Sequence, residues 1–326
     1  MTSVLYIVVP CYKEEEVLPE TSRRLKEKLQ LLMDSGKIST QSRVLFVNDG
    51  STDRTWPIIK QLHEEDTRFS GINLSCNRGH QNALLAGLMA AKGPADMVIS
   101  MDADLQDDIN AIDEMIDKFH EGYDIVYGVR SSRKRDTFFK RFTAESFYRL
   151  INSLGGKTVF NHADYRLLSK RALEGLSEFK EVNLFLRGMV PMVGYPSTIV
   201  EYERGDRFAG ESKYPLKKML AFAVEGITSL SVKPLRFITM LGIFIFVVSL
   251  FMLVYFVFQW AKGATVAGWA SLVCSIWAIG GLILLSLGVV GEYTGKIYLE
   301  AKSRPRFIIQ EIIDDKITGT VADGKL

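Results

Sequence analysis

Residues 97–106, MVISMDADLQ, are the most informative segment of the chain about its fold. Its first four residues are apolar or small and favour a buried β-strand, and two aspartates follow shortly after it. Four similar short runs lie at residues 5–9, 44–47, 71–74 and 125–127. The first 130 residues are therefore expected to contain at least five strands, each bounded by polar or turn-forming residues.

Helical patterns separate these runs, at residues 14–33, 52–65, 79–91 and 108–120. Strands that alternate with helices form a mostly parallel sheet with helices on both faces. We therefore predict an α/β fold. Ligands bind such sheets at the carboxyl ends of the strands, where the connecting loops lie. Functional residues are accordingly expected in the loops that follow the strands.

Asp102 and Asp104 stand in such a loop, just after the strand at 97–100. Two carboxylates two residues apart can point into one cleft, hold a hard divalent cation and, through it, bind a diphosphate. The same triplet also occurs in ordinary solvated turns. Asp49, which follows the strand at 44–47, is ambiguous in the same way. It either belongs to the turn that opens the next helix or accepts hydrogen bonds from a ribose or base.

Two long apolar stretches, residues 237–261 and 263–291, contain no charged residue. Each exceeds the roughly 20 residues that cross a bilayer as a helix. Only Lys262 separates them, so we predict a hairpin of transmembrane helices over 237–261 and 264–291. Basic residues flank the hairpin on both outer sides, which predicts that both termini face the cytoplasm of a cell with an inner or plasma membrane.

Charge is concentrated locally, because the whole chain has a formal net charge of only +2. That balance does not favour nucleic acid as a partner. Residues 136–155 form a basic stretch that includes Arg141, and aromatic side chains are interspersed among its basic residues. Such a stretch is typical of an amphipathic helix that lies on an anionic bilayer surface. A helix packed on the soluble domain is the alternative.

Five motifs, taken together and in order, resemble glycosyltransferase family 2, and within it the polyprenyl-phosphate glycosyltransferases. These enzymes are relatives of dolichol-phosphate mannose synthase and of bacterial undecaprenyl-phosphate glucosyltransferases. The motifs are VVPCYKE at 8–14, VNDGSTD at 47–53, NRG at 77–79, DADLQ at 102–106 and GVR at 128–130. The chain departs from the family at Lys13, where asparagine is usual, and at Met192, where tryptophan is common.

The resemblance implies a division of the chain. Residues 1–215 would form a cytoplasmic GT-A-like domain that binds a nucleotide sugar, and 215–236 a juxtamembrane helix. The two-helix anchor would follow, with 292–326 as a cytoplasmic tail.

The resemblance also implies a donor site. The residues that would line the base, ribose and diphosphate pocket are Pro10, Tyr12, Glu14, Asp49, Asp102 and Ala103. Asp104 and Gln106, with Asp102, would bind Mg²⁺ or Mn²⁺. A loop at 207–214 would close over the donor and bring Arg207 and Lys213 to the pyrophosphate.

On the acceptor side, the resemblance implies that Arg130 and Arg141 bind the phosphate of a polyprenyl phosphate. Asp164 would contact the sugar or act as a base. A phosphate is already an anion at neutral pH, so it needs guanidinium groups to align it more than it needs a base. Attack opposite the leaving group would invert the anomeric centre.

The expected function is transfer of one sugar, from UDP-glucose or UDP-N-acetylglucosamine, to undecaprenyl phosphate for cell-envelope glycosylation. Expected partners are the nucleotide sugar, the lipid phosphate, the bilayer and further copies of the chain, with a tetramer as one arrangement. A processive polysaccharide synthase is an alternative, although such enzymes usually have more membrane helices. A membrane scaffold without catalytic activity is another.

Overall fold

The computed structural model describes residues 2–131, 162–203, 205, 233–262, 268–314 and 316–317. These residues fall into two compact units. The described residues up to 205, together with those from 304 onwards, form the first unit, and 233–303 form the second. The predicted interfacial helix at 136–155 lies outside the described residues, as do Arg141, Arg207 and Lys213.

Every strand and helix predicted in the first 130 residues is present. They are β1 (Leu5–Cys11), α1 (Leu18–Asp34), β2 (Arg43–Asn48), α2 (Thr55–Glu65), β3 (Phe69–Leu74), α3 (His80–Ala91), β4 (Met97–Ser100), α4 (Ala111–His120) and β5 (Ile125–Arg130). Later elements of the same unit are β6 (His162–Ser169), α5 (Lys170–Ser177), α6 (Leu186–Met192), β7 (Ser197–Tyr202) and β8 (Ile309–Ile313).

The strands form one sheet in the order β7-β5-β6-β4-β1-β2-β3-β8. Strand β6 is antiparallel to both β4 and β5, and β8 is antiparallel to β3, whereas the other pairs are parallel. The prediction of a mostly parallel α/β sheet is therefore confirmed.

The core lies on both faces of this sheet. Alternate residues of β1 point to opposite sides, so that Ile7 packs in one apolar cluster and Val8 in the other. Helix α1 contributes to the first cluster and α3 to the second. Gly87 allows α3 to approach closely, because a Cβ there would lie 2.4 Å from Val8 Cγ1. The rigid centre of the sheet thus holds the loops at its carboxyl edge in place.

Three strands of the sheet, β6, β7 and β8, were not predicted as strands. Residues 162–169 form β6, which inserts between β4 and β5. The apolar sequence of the segment 307–313 fits either an edge strand or an interfacial segment, and in the structure this segment contains the edge strand β8. Glu311 on β8 accepts a hydrogen bond from Trp56 Nε1 at 3.2 Å and pairs with Lys60. Among the described residues of the predicted tail at 292–326, those up to Lys302 continue a long helix and Ile309–Ile313 form β8.

The second unit contains the helices α7 (Lys233–Ala261) and α8 (Trp269–Lys302), which cover most of the two predicted spans. By length and composition, one segment among the described residues, Ala278–Lys302, could cross a membrane, and its apolar window is not buried within the protein. Large apolar side chains such as Phe251 and Leu284 are exposed on these helices. The two-span hairpin and its orientation stay predictions.

Candidate active site

The predicted site residues of the first unit gather at the carboxyl edge of the sheet. Register places the ends of three strands side by side, since Cys11 on β1 pairs with Asn48 on β2, and Val8 pairs with Ser100 on β4. Tyr12, Asp49 and Asp102 follow these strands. The sequence prediction of where these residues lie is thus confirmed, while their roles stay predictions.

The loop after β1 is tied to the loop after β2. The backbone N–H of Lys13 donates to Ser51 Oγ, and that of Glu14 donates to Thr55 Oγ1, both at 3.0 Å. Lys13 has a φ of 56°, an uncommon conformation for a residue with a side chain. Pro10 is buried at the end of the strand, whereas Tyr12 is exposed. The ring of Tyr12 is therefore available to stack on a flat ligand.

Asp49 is engaged by the backbone of another loop. Its carboxylate accepts the N–H of Arg78 at 2.7 Å and that of Gly79 at 2.9 Å, and the residue is almost fully buried. Neither of the two roles considered from the sequence includes this contact. Asp49 holds the loop before α3 against the end of β2, so its effect on a nucleotide would include positioning that loop.

Gly50 makes this contact possible, and its replacement by alanine is expected to disrupt it. Gly50 has a φ of 61°, and a Cβ there would lie 2.5 Å from the carbonyl carbon of Cys76. We expect Gly50→Ala to displace the loop at 76–79 and to destabilise the fold by more than the roughly 1–3 kcal/mol that a strained backbone conformation alone costs.

The matched control is Gly36→Ala, because Gly36 also has a positive φ, 71°, but nothing lies within 4 Å of its Cβ position. Urea denaturation of both variants in detergent would measure the difference, and nucleotide-sugar binding would report on the loop. Equal losses of stability in the two variants would rule out a specific contact at Gly50.

The acidic loop follows β4 and is supported by α1. Thr21 Oγ1 on α1 donates to the carbonyl oxygen of Ala103 at 2.8 Å. Leu105 has a φ of 58°, and the N–H of Gln106 donates to Asp104 Oδ1 at 3.2 Å. These contacts stabilise one turn conformation of the loop. Asp102, at the start of the loop, is partly exposed.

The charge of this loop suits a cation. Burial raises the pKa of Asp102 to about 6, the positive charge of His80 opposes the rise, and nearby carboxylates, among them Asp107 and Asp164, add to it. A divalent ion would relieve this repulsion, and oxygen donors are the ligands that Mg²⁺ and Mn²⁺ prefer. Among the described residues, no three His, Cys, Asp or Glu side chains form a complete metal site. A metal here would need further oxygen ligands, as the phosphates of a donor provide.

A second charged group lies beside the loop, around Asp164 on β6. Arg166 is two residues further along the strand, on the same face, and pairs with Asp164 Oδ1. Arg187 on α6 donates to both carboxylate oxygens, at 3.2 and 3.0 Å. His80 Nε2 lies 3.6 Å from Asp164 Oδ2 and 3.6 Å from Asp102 Oδ1, so it bridges the two acidic groups.

These neighbours keep Asp164 ionised. Burial alone would raise the pKa of Asp164, but the hydrogen bond with His80 and the charges of Arg187 and Arg166 hold it well below its usual value. Burial lowers the pKa of the Arg166 guanidinium. A carboxylate with so low a pKa is a weak base. Asp164 is better suited to accept hydrogen bonds or to stabilise positive charge.

Arg166 and Arg187 were not identified from the sequence. The spacing of Asp164 and Arg166 would have shown that they share a face, had residues 162–169 been recognised as a strand. Arg187 arrives from α6, whose first residue, Leu186, donates its N–H to Gln81 Oε1 at 2.9 Å. This tertiary contact has no signal in the local sequence.

Arg130, at the end of β5, lies across from the acidic loop. Its Nε donates to the hydroxyl oxygen of Tyr202 at 3.3 Å, and its Nη2 lies 3.5 Å from Asp107 Oδ1. The guanidinium remains partly exposed. The edge of the sheet thus carries acidic groups at its centre and a held but accessible cation beside them.

Comparisons with known proteins show which family the chain resembles. The profile of the family described as glycosyl transferase family 2 matches residues 6–177. An uncharacterized glycosyltransferase of Bacillus subtilis, YkoT, is 55% identical over 306 residues, which cover 94% of this chain and 91% of the relative. The bactoprenol glucosyl transferase of Shigella phage SfII is 39% identical over 307 residues, covering 94% of this chain and 97% of the relative.

Among solved structures, the mannosyltransferase PcManGT from Pyrobaculum calidifontis superimposes with a TM-score of 0.46 and 16% identity. That match covers 92% of this chain and 85% of the other.

Proposed function

The chain belongs to glycosyl transferase family 2, and from this membership we propose that it transfers one sugar from a nucleotide diphosphate sugar to a polyprenyl phosphate. The observation that carries the proposal is the match to the bactoprenol glucosyl transferase, which extends over 94% of this chain. A match of that length includes most of the apolar residues 237–291 as well as the family domain, so it bears on the lipid acceptor too.

The reaction needs few groups from the protein. An oxygen of the acceptor phosphate attacks the anomeric carbon, the bond from that carbon to the donor's phosphate oxygen breaks, and the nucleoside diphosphate leaves. The attacking oxygen carries no proton that must be removed at neutral pH. Catalysis then depends on alignment of the two substrates and on stabilisation of the charge that develops on the leaving group.

The described residues fit these tasks. Tyr12 would stack on the base, and the loop tied down by Asp49 would border the ribose. Asp164 would accept hydrogen bonds from sugar hydroxyls and stabilise positive charge at the anomeric carbon. This role fits Asp164 better than that of a base, because, despite its burial, His80 and its two arginine partners lower its pKa. Arg130 would align the acceptor phosphate.

A divalent metal would be held by Asp104 and Gln106, with Asp102, next to the donor's phosphates. When bound, Mg²⁺ or Mn²⁺ would neutralise the charge that develops on the diphosphate. Lys213 and Arg207 would add to this stabilisation from the loop that precedes the membrane region. Arg141 would be a companion to Arg130 at the lipid phosphate.

The proposal extends to the cellular setting. UDP-glucose or UDP-N-acetylglucosamine is the proposed donor and undecaprenyl phosphate the proposed acceptor, at the cytoplasmic face of the cell membrane. The product would be a lipid-linked sugar for cell-envelope glycosylation. The charge-free stretches and their basic flanks support this placement. Association into a homo-oligomer, with a tetramer as one form, is part of the same proposal.

The test uses the full chain in detergent or nanodiscs. UDP-glucose, UDP-N-acetylglucosamine and GDP-mannose are supplied one at a time with undecaprenyl phosphate and Mg²⁺ or Mn²⁺, and the extracted lipid is analysed by mass spectrometry. We expect one donor to yield lipid that carries a single sugar, with release of nucleoside diphosphate only when the lipid is present. A ladder of products would instead indicate a processive synthase, and binding of nucleotide sugar without turnover would indicate a scaffold.

A further inference from the structure

A buried carboxylate in the acidic loop is not among the residues assigned to binding of the donor or the metal. Asp107 follows Gln106 directly, and its side chain is only 1% exposed. The hydroxyl group of Tyr202 donates to Asp107 Oδ1 at 2.5 Å. The other oxygen, Oδ2, is buried and has no hydrogen-bond partner among the described residues. A buried polar atom without a partner typically costs about 1–3 kcal/mol, so its retention needs a reason.

The arrangement around Asp107 points to Arg130. Tyr202 ends β7 and Arg130 ends β5, and the two residues are direct partners in the parallel pairing of these strands. The Tyr202 hydroxyl accepts from Arg130 Nε at 3.3 Å while it donates to Asp107. One hydroxyl group therefore joins the guanidinium to the carboxylate. Phenylalanine at this position would fill the same space but could neither donate nor accept.

The hydrogen bond between Tyr202 and Asp107 is one of two contacts between the acidic loop and the end of β7. The N–H of Gly205, three residues after Tyr202, donates to the carbonyl oxygen of Gln106 at 2.9 Å. The acidic loop and the end of β7 are thus joined through the backbone at Gln106 and through the side chain at Asp107. Arg130 is held at the junction, and its side chain is still 27% exposed. A guanidinium held in this way loses less conformational entropy when it binds an anion than a free one does.

We propose that Tyr202, together with Asp107, is a positioning residue that orients Arg130 towards the acceptor phosphate. The proposal rests on the proposed function, in which Arg130 binds that phosphate. It adds that the Asp107 carboxylate of the acidic loop, through Tyr202, sets the geometry of acceptor binding.

The first test is Tyr202→Phe in the full chain. We expect the KM for undecaprenyl phosphate to rise about tenfold, as loss of one hydrogen bond to a charged group predicts. The KM for the nucleotide sugar and kcat should stay within about twofold of the wild-type values. A merely structural role of the hydroxyl group would lower thermal stability without this split between the two substrates.

The matched control is Tyr165→Phe. Tyr165 packs edge-on against Tyr202 with ring centroids 5.3 Å apart, and its own hydroxyl donates to the carbonyl oxygen of Asp108 at 3.0 Å. This variant also loses one buried hydrogen bond of a tyrosine but no contact with Arg130. We expect its KM for the lipid to equal that of the wild type. An equal rise in both variants would overturn the proposal.

The double variant Arg130→Ala/Tyr202→Phe tests whether Tyr202 acts through Arg130. We expect Tyr202→Phe to have no further effect on acceptor KM in the Arg130→Ala background, because contacting residues that act as a unit are not additive. A second tenfold loss there would show an independent role and overturn the proposal.

A direct measurement of lipid binding distinguishes failure of the role of Tyr202 from failure of the proposed function on which that role rests. Binding of undecaprenyl phosphate in detergent micelles, without donor, is measured for the wild type and for Tyr202→Phe. If the wild type binds the lipid and Tyr202→Phe binds it equally well, only the inference fails. If the wild type neither binds nor glycosylates the lipid, the proposed function fails and the inference with it.

Discussion

Replacement of Asp104 by alanine is expected to reduce sugar transfer by about a hundredfold to a thousandfold, the scale seen when a preorganised electrostatic group at a developing charge is removed. The reason is the position of Asp104 in the loop after β4, where its carboxylate stands with Asp102 and Gln106 at the edge of the sheet. Without it, a cation that neutralises the leaving diphosphate would lose a ligand. Excess chelator should have the same effect on the wild-type protein, and added Mg²⁺ or Mn²⁺ should reverse it.

The measurement is the initial rate of nucleoside diphosphate release that depends on lipid. Asp117→Ala is a suitable control, since Asp117 pairs with Lys37 at the protein surface, away from the loop. Urea denaturation would verify that both variants remain folded. Full activity in excess chelator, or an Asp104→Ala enzyme with more than a tenth of normal activity, would end the metal assignment.

Replacement of Asp164 by alanine is expected to destabilise the protein by about 3–5 kcal/mol, because it leaves a buried guanidinium without its partner. That guanidinium belongs to Arg166, whose side chain is 1% exposed. Turnover should fall as well, by about a hundredfold, if the carboxylate stabilises the transition state. Asp164→Asn retains the shape and one acceptor oxygen, so it should be folded but slow.

Glu27→Ala is the control for the stability measurement. Glu27 also pairs with an arginine, Arg23, but the two side chains are 62% and 54% exposed, so Arg23 can be solvated when its partner is removed. An exposed pair contributes about 0–1 kcal/mol. Equal losses of stability would show that burial of Arg166 is not the cause. Normal turnover of Asp164→Asn would show that the charge of Asp164 has no catalytic role.

Much of the fold could be predicted because the relevant signals are local. The apolar runs at β1 to β5 and the helical periodicities between them repeat within a few residues, and their alternation restricts the connections to parallel crossovers. The positions of Asp49 and Asp102 at strand ends followed from the same pattern. The charge-free stretches covered by α7 and α8 are likewise a property of composition alone.

Other features depended on contacts between distant parts of the chain. Strand β6 lies between β4 and β5 and pairs with both in antiparallel orientation. This pairing places Asp164 and Arg166 beside Asp102. Strand β8, more than 230 residues after β3, completed the opposite edge. A segment that can pair in several ways carries no local mark of which partner it will find.

The α/β class, the carboxyl-edge location of the acidic loop and the apolar C-terminal helices could thus be predicted, since each depends on patterns within single segments. Which charged groups come into contact could not be predicted from such patterns. Arg187 reaches Asp164 because Gln81 holds the start of α6. Tyr202 reaches Arg130 because β7 pairs with β5 in that register. Electrostatic energy depends on distances of a few ångströms between atoms far apart in the chain, and packing of the whole domain sets those distances.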